Sequence, residues 1–456
     1  MKRLCSALLL ALVPVAAYAA PHSHPSGPNL TFGDISNPQT VLSVTGNPAS
    51  GAAAEQRGIR FGLLSSIGFS YEIGDMDNII DDMDDFLEED FGELEFTSDL
   101  QGLQSMVREY DRLESRFNNF LETVSEDGYI KLGYSAHVPL TPVVATYDFL
   151  GGTLALDANF SGQGRITIQG EQDGSAPVIS HGIDPTLWSI LGDSNITSEA
   201  DLLAEIQDQF SEISSPVEAQ DFLDERDTTI TTDARIVGEA AQLREVALSY
   251  SGAAWHHQDG SLYLGGKLKH YSADLTKIDK NIADEDGDGA FDTLSDEIGE
   301  NTHNSTDFGV DLGLLWTAPN YRVGGTLVNV NEPSFRHIDG DRRSLDQQLR
   351  LEGAVFTANR NWVFGFAYDV DSANNLIGDE YQWMTLSAGY ATQSWWIPGV
   401  RLGYRENLTG TKLSYISGGI TLFRVANLDV AYSTDSVSGE DIPRSAIVNL
   451  GLEITF

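Results

Sequence analysis

The sequence predicts an all-β protein, a transmembrane antiparallel β-barrel of about 14–16 strands with two helical inserts. Three observations predict it: an export signal at the N-terminus, short runs of alternating polarity through the C-terminal third, and a last strand that ends on an aromatic residue.

The export signal comes first. Lys2 and Arg3 precede an apolar stretch from Ala7 to Ala17, and Ala17-Tyr18-Ala19 supplies the small residues a signal peptidase reads. Cleavage after Ala19 avoids placing Pro21 directly after the scissile bond, so residues 1–19 are the signal peptide and the mature chain begins at Ala20. The sole cysteine, Cys5, leaves with it, and no thiol, disulfide or lipid anchor is expected in the mature protein. Loss of Lys2 and Arg3 takes the formal charge from −41 to −43. Such a surface repels a phosphate backbone, so nucleic acid is excluded as a partner. Beyond the signal no run of 18 or more apolar residues occurs, and a chain that crosses a membrane without such a run must do so as a closed sheet.

The alternation carries most of the weight. In 307–316, Phe308, Val310, Leu312, Leu314 and Trp316 share one face, and Asp307, Gly309, Asp311 and Gly313 share the other. The same period of two sets Leu349, Leu351 and Val355 against Arg350 and Glu352, Val400, Leu402 and Tyr404 against Arg401 and Arg405, and Leu428, Val430 and Tyr432 against Asn427 and Asp429. A further run, 382–391, places Met384, Leu386, Ala388 and Tyr390 together. One face is apolar enough for lipid, and the other makes a wet, charged lumen. Aromatic residues gather at run ends, among them Trp362, Trp383, Trp395 and Trp396, where rings with a polar edge suit the headgroup level. The final run places Val448, Leu450, Leu452, Ile454 and Phe456 on one face, an ending of the kind that directs a strand to the barrel assembly machinery. Upstream strands are expected at 59–73, 129–138, 143–149, 152–161, 163–171, 244–256 and 261–272, so the barrel occupies 59–456 and its partners are outer-membrane lipid and that machinery.

Three stretches interrupt the strands. Residues 76–127 show helical periodicity, with Met76, Ile79, Ile80 and Met83 in one stripe and Leu103, Met106, Val107 and Tyr110 in another. The region 72–127 holds 19 acidic and 3 basic residues, which reads as a solvated acidic face. A second helical insert is expected over 195–247, with Ser198 and Asp201 as a capping box ahead of Leu202, Leu203 and Ile206. The third is an acidic loop at 275–304. Within it Asp284, Asp286, Asp288 and Asp292, with Gly289 allowing a tight backbone, offer the alternating oxygen ligands of a calcium loop, although Ser295 stands where a complete EF-hand has its bidentate Glu. The N-terminal segment 20–58 is long enough to plug the lumen.

Chemistry is sparse. No Gly-x-Ser-x-Gly elbow or His-Glu-x-x-His helix occurs, so no catalytic residue is assigned and no cofactor is required beyond the calcium ion that the acidic loop could take. A hydrolase would need a nucleophile at the rim beside His256, His270 or His337, and no spacing points to one.

At Gly46-Asn47-Pro48-Ala49-Ser50 the chain resembles the Asn-Pro-Ala element of FadL-like outer-membrane proteins. Phe308-Gly-Val-Asp-Leu-Gly-Leu-Leu-Trp316, with Asn329-Val-Asn-Glu-Pro-Ser-Phe335, resembles the TraF-like conjugal transfer proteins within that wider group, and not the thioredoxin-related proteins of the same name, which need a Cys-x-x-Cys centre. The resemblance implies a non-enzymatic barrel in the outer membrane of a Gram-negative bacterium. It implies a link to plasmid transfer, or alternatively a FadL-type channel for hydrophobic small molecules with an apolar ligand.

Overall fold

The computed structural model describes residues 25–454, except 39, 55–57, 75–99, 148–150, 171–178, 181–182, 214, 216, 219–230, 282–300, 339, 393 and 438–441. The signal peptide, the 76–87 stripe, the calcium-loop aspartates Asp284, Asp286, Asp288 and Asp292, and Phe456 lie outside the described residues.

Fifteen strands form one antiparallel sheet. They are β1 Gly58–Ile73, β2 Tyr129–His137, β3 Val143–Tyr147, β4 Gly152–Gln169, β5 Arg235–His257, β6 Gly260–Asn281, β7 Thr302–Thr317, β8 Tyr321–Val328, β9 Gln348–Phe356, β10 Trp362–Asp369, β11 Trp383–Tyr390, β12 Gly399–Asn407, β13 Ser414–Leu422, β14 Ala426–Ser433 and β15 Ser445–Ile454. From β4 onward each strand pairs with the next in chain order, and β15 pairs back onto β1, from Phe61 opposite Ile454 to Glu72 opposite Ser445. The sheet is therefore a closed barrel, which leaves no unpaired edge. β2 and β3 share one position in the wall: β1 and β4 pair with β2 along their upper halves and with β3 along their lower halves. Fourteen positions result.

Alternation sets the two faces. Outward residues such as Phe69, Leu312, Val323, Val355, Phe364 and Leu402 are large, apolar and exposed. Inward residues are polar and buried, including Arg322, Glu352, Arg401, Asp429 and Glu453.

Three expectations are corrected. The acidic loop expected at 275–304 gives up both its ends to the sheet, because 275–281 continue β6 and 302–304 begin β7, with Leu275 opposite His303 and Thr276 opposite Thr302. Residues 235–247, read as the end of a helical insert, belong to β5. Glu239-Ala-Ala-Gln-Leu-Arg244 favours a helix locally, but β5 pairs along its length with β4 and β6, and this overrides propensity. The runs 152–161 and 163–171 form a single strand, β4, which passes through Gly162 without a break because Gly162 still pairs with Tyr134 and Gln242.

The wall is uneven. β4, β5, β6 and β7 reach well beyond the ladder of β8, since Leu327 pairs with Leu312 while β7 continues back to Thr302. Against the inner face of this tall side lie the loops 329–347 and 370–382. Phe335 and Leu345 from the first loop, and Leu376 and Ile377 from the second, pack with Leu243, Tyr271 and Leu275. At the same end three helices, α1 Leu100–Asp127, α2 Pro185–Gly192 and α3 Glu199–Gln209, form a separate core through Leu103, Val107, Leu187, Leu191, Leu202 and Ile206. Asp184 caps α2 by accepting from the Thr186 and Leu187 amides, and Ser198 caps α3 by accepting from the Asp201 amide.

Candidate functional site

Residues 25–54 lie against the inward face of the wall. Their helical turns, Asn29–Phe32 and Ser43–Gly46, are too short to stand alone in water, and Leu30, Ile35, Val41 and Leu42 are fully buried. What holds this segment is a set of luminal carboxylates. Glu352 accepts from the Ser36 amide, from Ser36 Oγ at 2.8 Å and from Asn47 Nδ2 at 2.6 Å. Glu453 accepts from Thr40 Oγ1 at 2.7 Å and from the Val41 amide at 2.9 Å. Asp429 accepts from Thr31 Oγ1 at 2.7 Å and from Arg401 Nε at 2.6 Å. Cations hold its carbonyls: Arg322 donates to Ser36 O at 3.1 Å and to Ala53 O at 2.9 Å, and Lys267 donates to Thr45 O at 2.6 Å. Bonds to an ionised partner are the stronger kind, and burial makes each costly to lose.

The Asn-Pro-Ala element is an anchor. Asn47 Oδ1 accepts from the Ala49 amide and closes the single 3-10 turn Pro48–Ser50, while Asn47 Nδ2 reaches Glu352 and Leu314 O. The turn presses on the wall at two glycines. A Cβ at Gly265 would lie 2.5 Å from Ala49 N, and one at Gly313 would meet Asn47 Oδ1 and Pro48. Gly313 belongs to the 308–316 stretch, so the two sequence elements touch. In the 329–335 stretch, Asn329 takes a positive φ of 51°, accepts from Lys269 Nζ at 2.6 Å and offers its amide to Asp311 at 2.9 Å. Lys269 and Asp311 pair at 2.6 Å, both buried.

Between the segment and the wall lies a small cavity bordered by Ser135, His137, Asp157, Glu245, Arg350 and Arg405. His137 Nε2 lies 3.5 Å from Asp157 Oδ1. Arg405 lies over the Trp383 ring with Cζ 3.7 Å from its centroid, a cation–π contact inside the lumen. Arg350 links the segment to the wall, 3.1 Å from Asp34 and 3.5 Å from Asp369. Near the cavity the wall is interrupted at 138–142, where Leu140 has φ 71° and β1 carries bulges. The interruption is bridged: Leu140 N donates to Leu63 O at 3.1 Å, and Gly62 N donates to Pro142 O at 3.3 Å.

The histidines considered for catalysis do not gather. His256 sits at the β5–β6 hairpin beside Ser261, His270 points outward and meets Phe308 edge to face, and His337 lies in the 329–347 loop. Among the described residues no group of three or more His, Cys, Asp or Glu is placed to hold a metal ion.

Residues 44–369 match the family described as "F plasmid transfer operon, TraF, protein". The chain belongs to this family. The matched span runs from the second helical turn of the luminal segment to the end of β10, and it contains both stretches that meet at Gly313. No curated protein matches the chain. Among solved structures it is similar to the Pseudomonas putida toluene transporter TodX, at 11% identity over 96% of this chain and 98% of that one with a TM-score of 0.37. It is similar to a TodX deltaS2S3 mutant monoaromatic hydrocarbon channel, at 10% identity over 91% and 95% with a TM-score of 0.40. A Pseudomonas aeruginosa FadL homologue aligns at 8% identity over 96% and 99% with a TM-score of 0.26.

Proposed function

We propose that this TraF-family protein is a non-enzymatic barrel of the Gram-negative outer membrane, closed at rest by its own N-terminal segment, and that it serves transfer across the envelope as the family description implies. One observation carries this reading: residues 25–54 occupy the lumen and are bonded to Glu352, Asp429 and Glu453 on three strands. A barrel built only as an envelope brace would need no removable filling, whereas a regulated passage needs a segment held by bonds that can be exchanged for water. The outward apolar belt fits lipid as its partner, and the last strand fits the assembly machinery. The formal charge disfavours nucleic acid as direct cargo.

The test is a pair of measurements. In planar bilayers the intact protein is expected to be silent, and a variant with Glu352→Ala and Glu453→Ala is expected to show intermittent openings. In a host carrying a conjugative plasmid, deletion of this chain is expected to lower transfer frequency. An unchanged frequency would remove the transfer role and leave the closed barrel standing.

A channel for apolar molecules is the second reading, favoured by the interrupted wall at 138–142, where Leu63, Val138 and Leu140 are exposed. It requires the bonds that tie 138–142 to β1 and β4 to part: those between Leu140 and Leu63 and between Gly62 and Pro142, and also Ser65 Oγ to Thr141 O, Val138 N to Ala158 O and Thr141 Oγ1 to Ala158 O. Mass spectrometry of the protein purified from outer membranes, against an unrelated barrel, would reveal an enriched apolar compound if this reading holds.

A further inference from the structure

The mouth at the end of the barrel away from Gly58 and Ile454 carries a row of charges that the luminal segment does not use. Asp379, in the 370–382 loop, receives Lys131 of β2 at 2.8 Å and Arg165 of β4 at 3.1 Å. Arg165 also pairs with Glu239 of β5, and Glu239 lies 3.5 Å from Arg343 of the 329–347 loop. Lys131 is in turn 3.3 Å from Glu72 of β1. The chain Glu72, Lys131, Asp379, Arg165, Glu239, Arg343 alternates in sign and is neutral as a whole. It joins both loops to the wall on the far side, because β10 and β11, which carry the 370–382 loop, lie across the barrel from β2 and β4.

Asp379 is held ready for this role. Its amide donates to Asn375 Oδ1 at 2.8 Å, and its Oδ2 accepts from Tyr381 OH at 3.3 Å. Beneath the charges the two loops share one apolar core, Phe335 and Leu345 from one and Leu376 and Ile377 from the other, packed on Leu243 of β5 and on Tyr271 and Leu275 of β6. Loops that share a core move together, and this core seats them on the wall beside the latch.

We propose that the 329–347 and 370–382 loops are a single lid, latched across the mouth through Asp379 and Glu239, and that it is a second gate in series with the luminal segment. The proposal rests on the reading of the barrel as a closed passage. The latch has a buried end, with Lys131 10% and Asp379 8% exposed at their side chains, and a more exposed one, with Arg343 36% and Arg165 25% exposed, so added salt weakens the Glu239 end more than the Asp379 end.

Asn159 borders the cavity on β4, six residues along the strand from Arg165, and Cys5 is the chain's sole cysteine, in the expected signal. Asn159→Cys therefore gives one reporter thiol below the latch. In intact cells, a membrane-impermeant maleimide is expected to label it slowly in the otherwise unaltered protein and at least tenfold faster with Asp379→Arg, while Asp379→Glu stays slow. Heat-dependent gel mobility checks that each variant is a folded barrel. Equal labelling of the parent and a folded Asp379→Arg variant overturns the lid, and so does fast labelling of the parent. The Glu352→Ala, Glu453→Ala variant separates the two ideas: labelling from outside should stay slow there, since the lid is intact, whether or not that variant conducts. Fast labelling in it would mean that the mouth has no gate of its own.

Discussion

Inside the barrel, residues 25–54 are held by directional bonds to buried carboxylates, whereas beyond the far mouth α1, α2 and α3 hold one another through side chains such as Leu103, Leu187 and Ile206. The two additions answer different surroundings. A wall whose outer face must be apolar for lipid turns its polar residues inward, and whatever enters the lumen has to satisfy them. The cap touches the wall where α1 meets β4, but its core is its own and uses burial of apolar surface, which needs no particular partner geometry. The segment should therefore respond sharply to the loss of single polar groups, and the cap to the loss of volume.

The largest effect on this contrast is expected from Leu187→Ala, which empties a fully buried position in the cap core and should cost about 2–5 kcal/mol of cap stability. Limited proteolysis would then cut within 100–127 while the gel shift of the barrel stays as it was; loss of the barrel instead would mean that cap and wall fold as one unit. Next, Glu352→Ala strands the Ser36 amide at roughly 1–3 kcal/mol, while Asn47 Nδ2 keeps Leu314 O as an acceptor. Amide exchange at Ser36 should accelerate and exchange within α1 should not.

A pH titration separates the two regions without a mutation at their contacts. Burial, with Glu114 and Asp111 close by, pushes the Tyr110 phenol up to about 12 from its ordinary 10. The folded cap thus keeps a proton that the unfolded cap gives up first. The stability this contributes is complete below pH 10 and is lost as pH rises through 12. Helical circular dichroism followed to high pH should fall earlier in the parent than in Tyr110→Phe, and identical curves would count against Tyr110. Smallest is Ser198→Ala, which removes the α3 cap at about 1 kcal/mol and should fray only the first turn of that helix.

Much of the wall was legible because alternation is a local property. Phe308 through Trp316 and Val400 through Tyr404 have the faces that their period of two assigns, and Glu352, Asp429 and Glu453 fall on the inward face as read. Residues 235–247 were misread because Glu239 to Arg244 favours a helix locally, and only the pairing of β5 with β4 and β6 decides otherwise. The site was legible on one side only. Its acceptors show in the strand pattern, but their donors, Thr31, Ser36, Thr40 and Asn47, sit in a stretch with no period and reach partners hundreds of residues away. Asn47-Pro48-Ala49 could be noticed as a family mark, yet its work as the turn pressed on Gly265 and Gly313 needs three dimensions. The latch was hidden for the same reason, since Asp379 and its partners come from separate parts of the chain.

The seat of Thr40 and Val41 has a consequence in time. Their acceptor, Glu453, belongs to β15, whose pairing with β1 is also the seam that closes the wall, and 413 residues separate Thr40 from Glu453. Until the last strand docks, this part of the segment has nothing to bind, and contacts of such sequence separation form late. Among the described residues, those synthesised first thus settle last, and a barrel arrested before its seam forms should present residues 25–54 to a protease that cannot reach them in the finished protein.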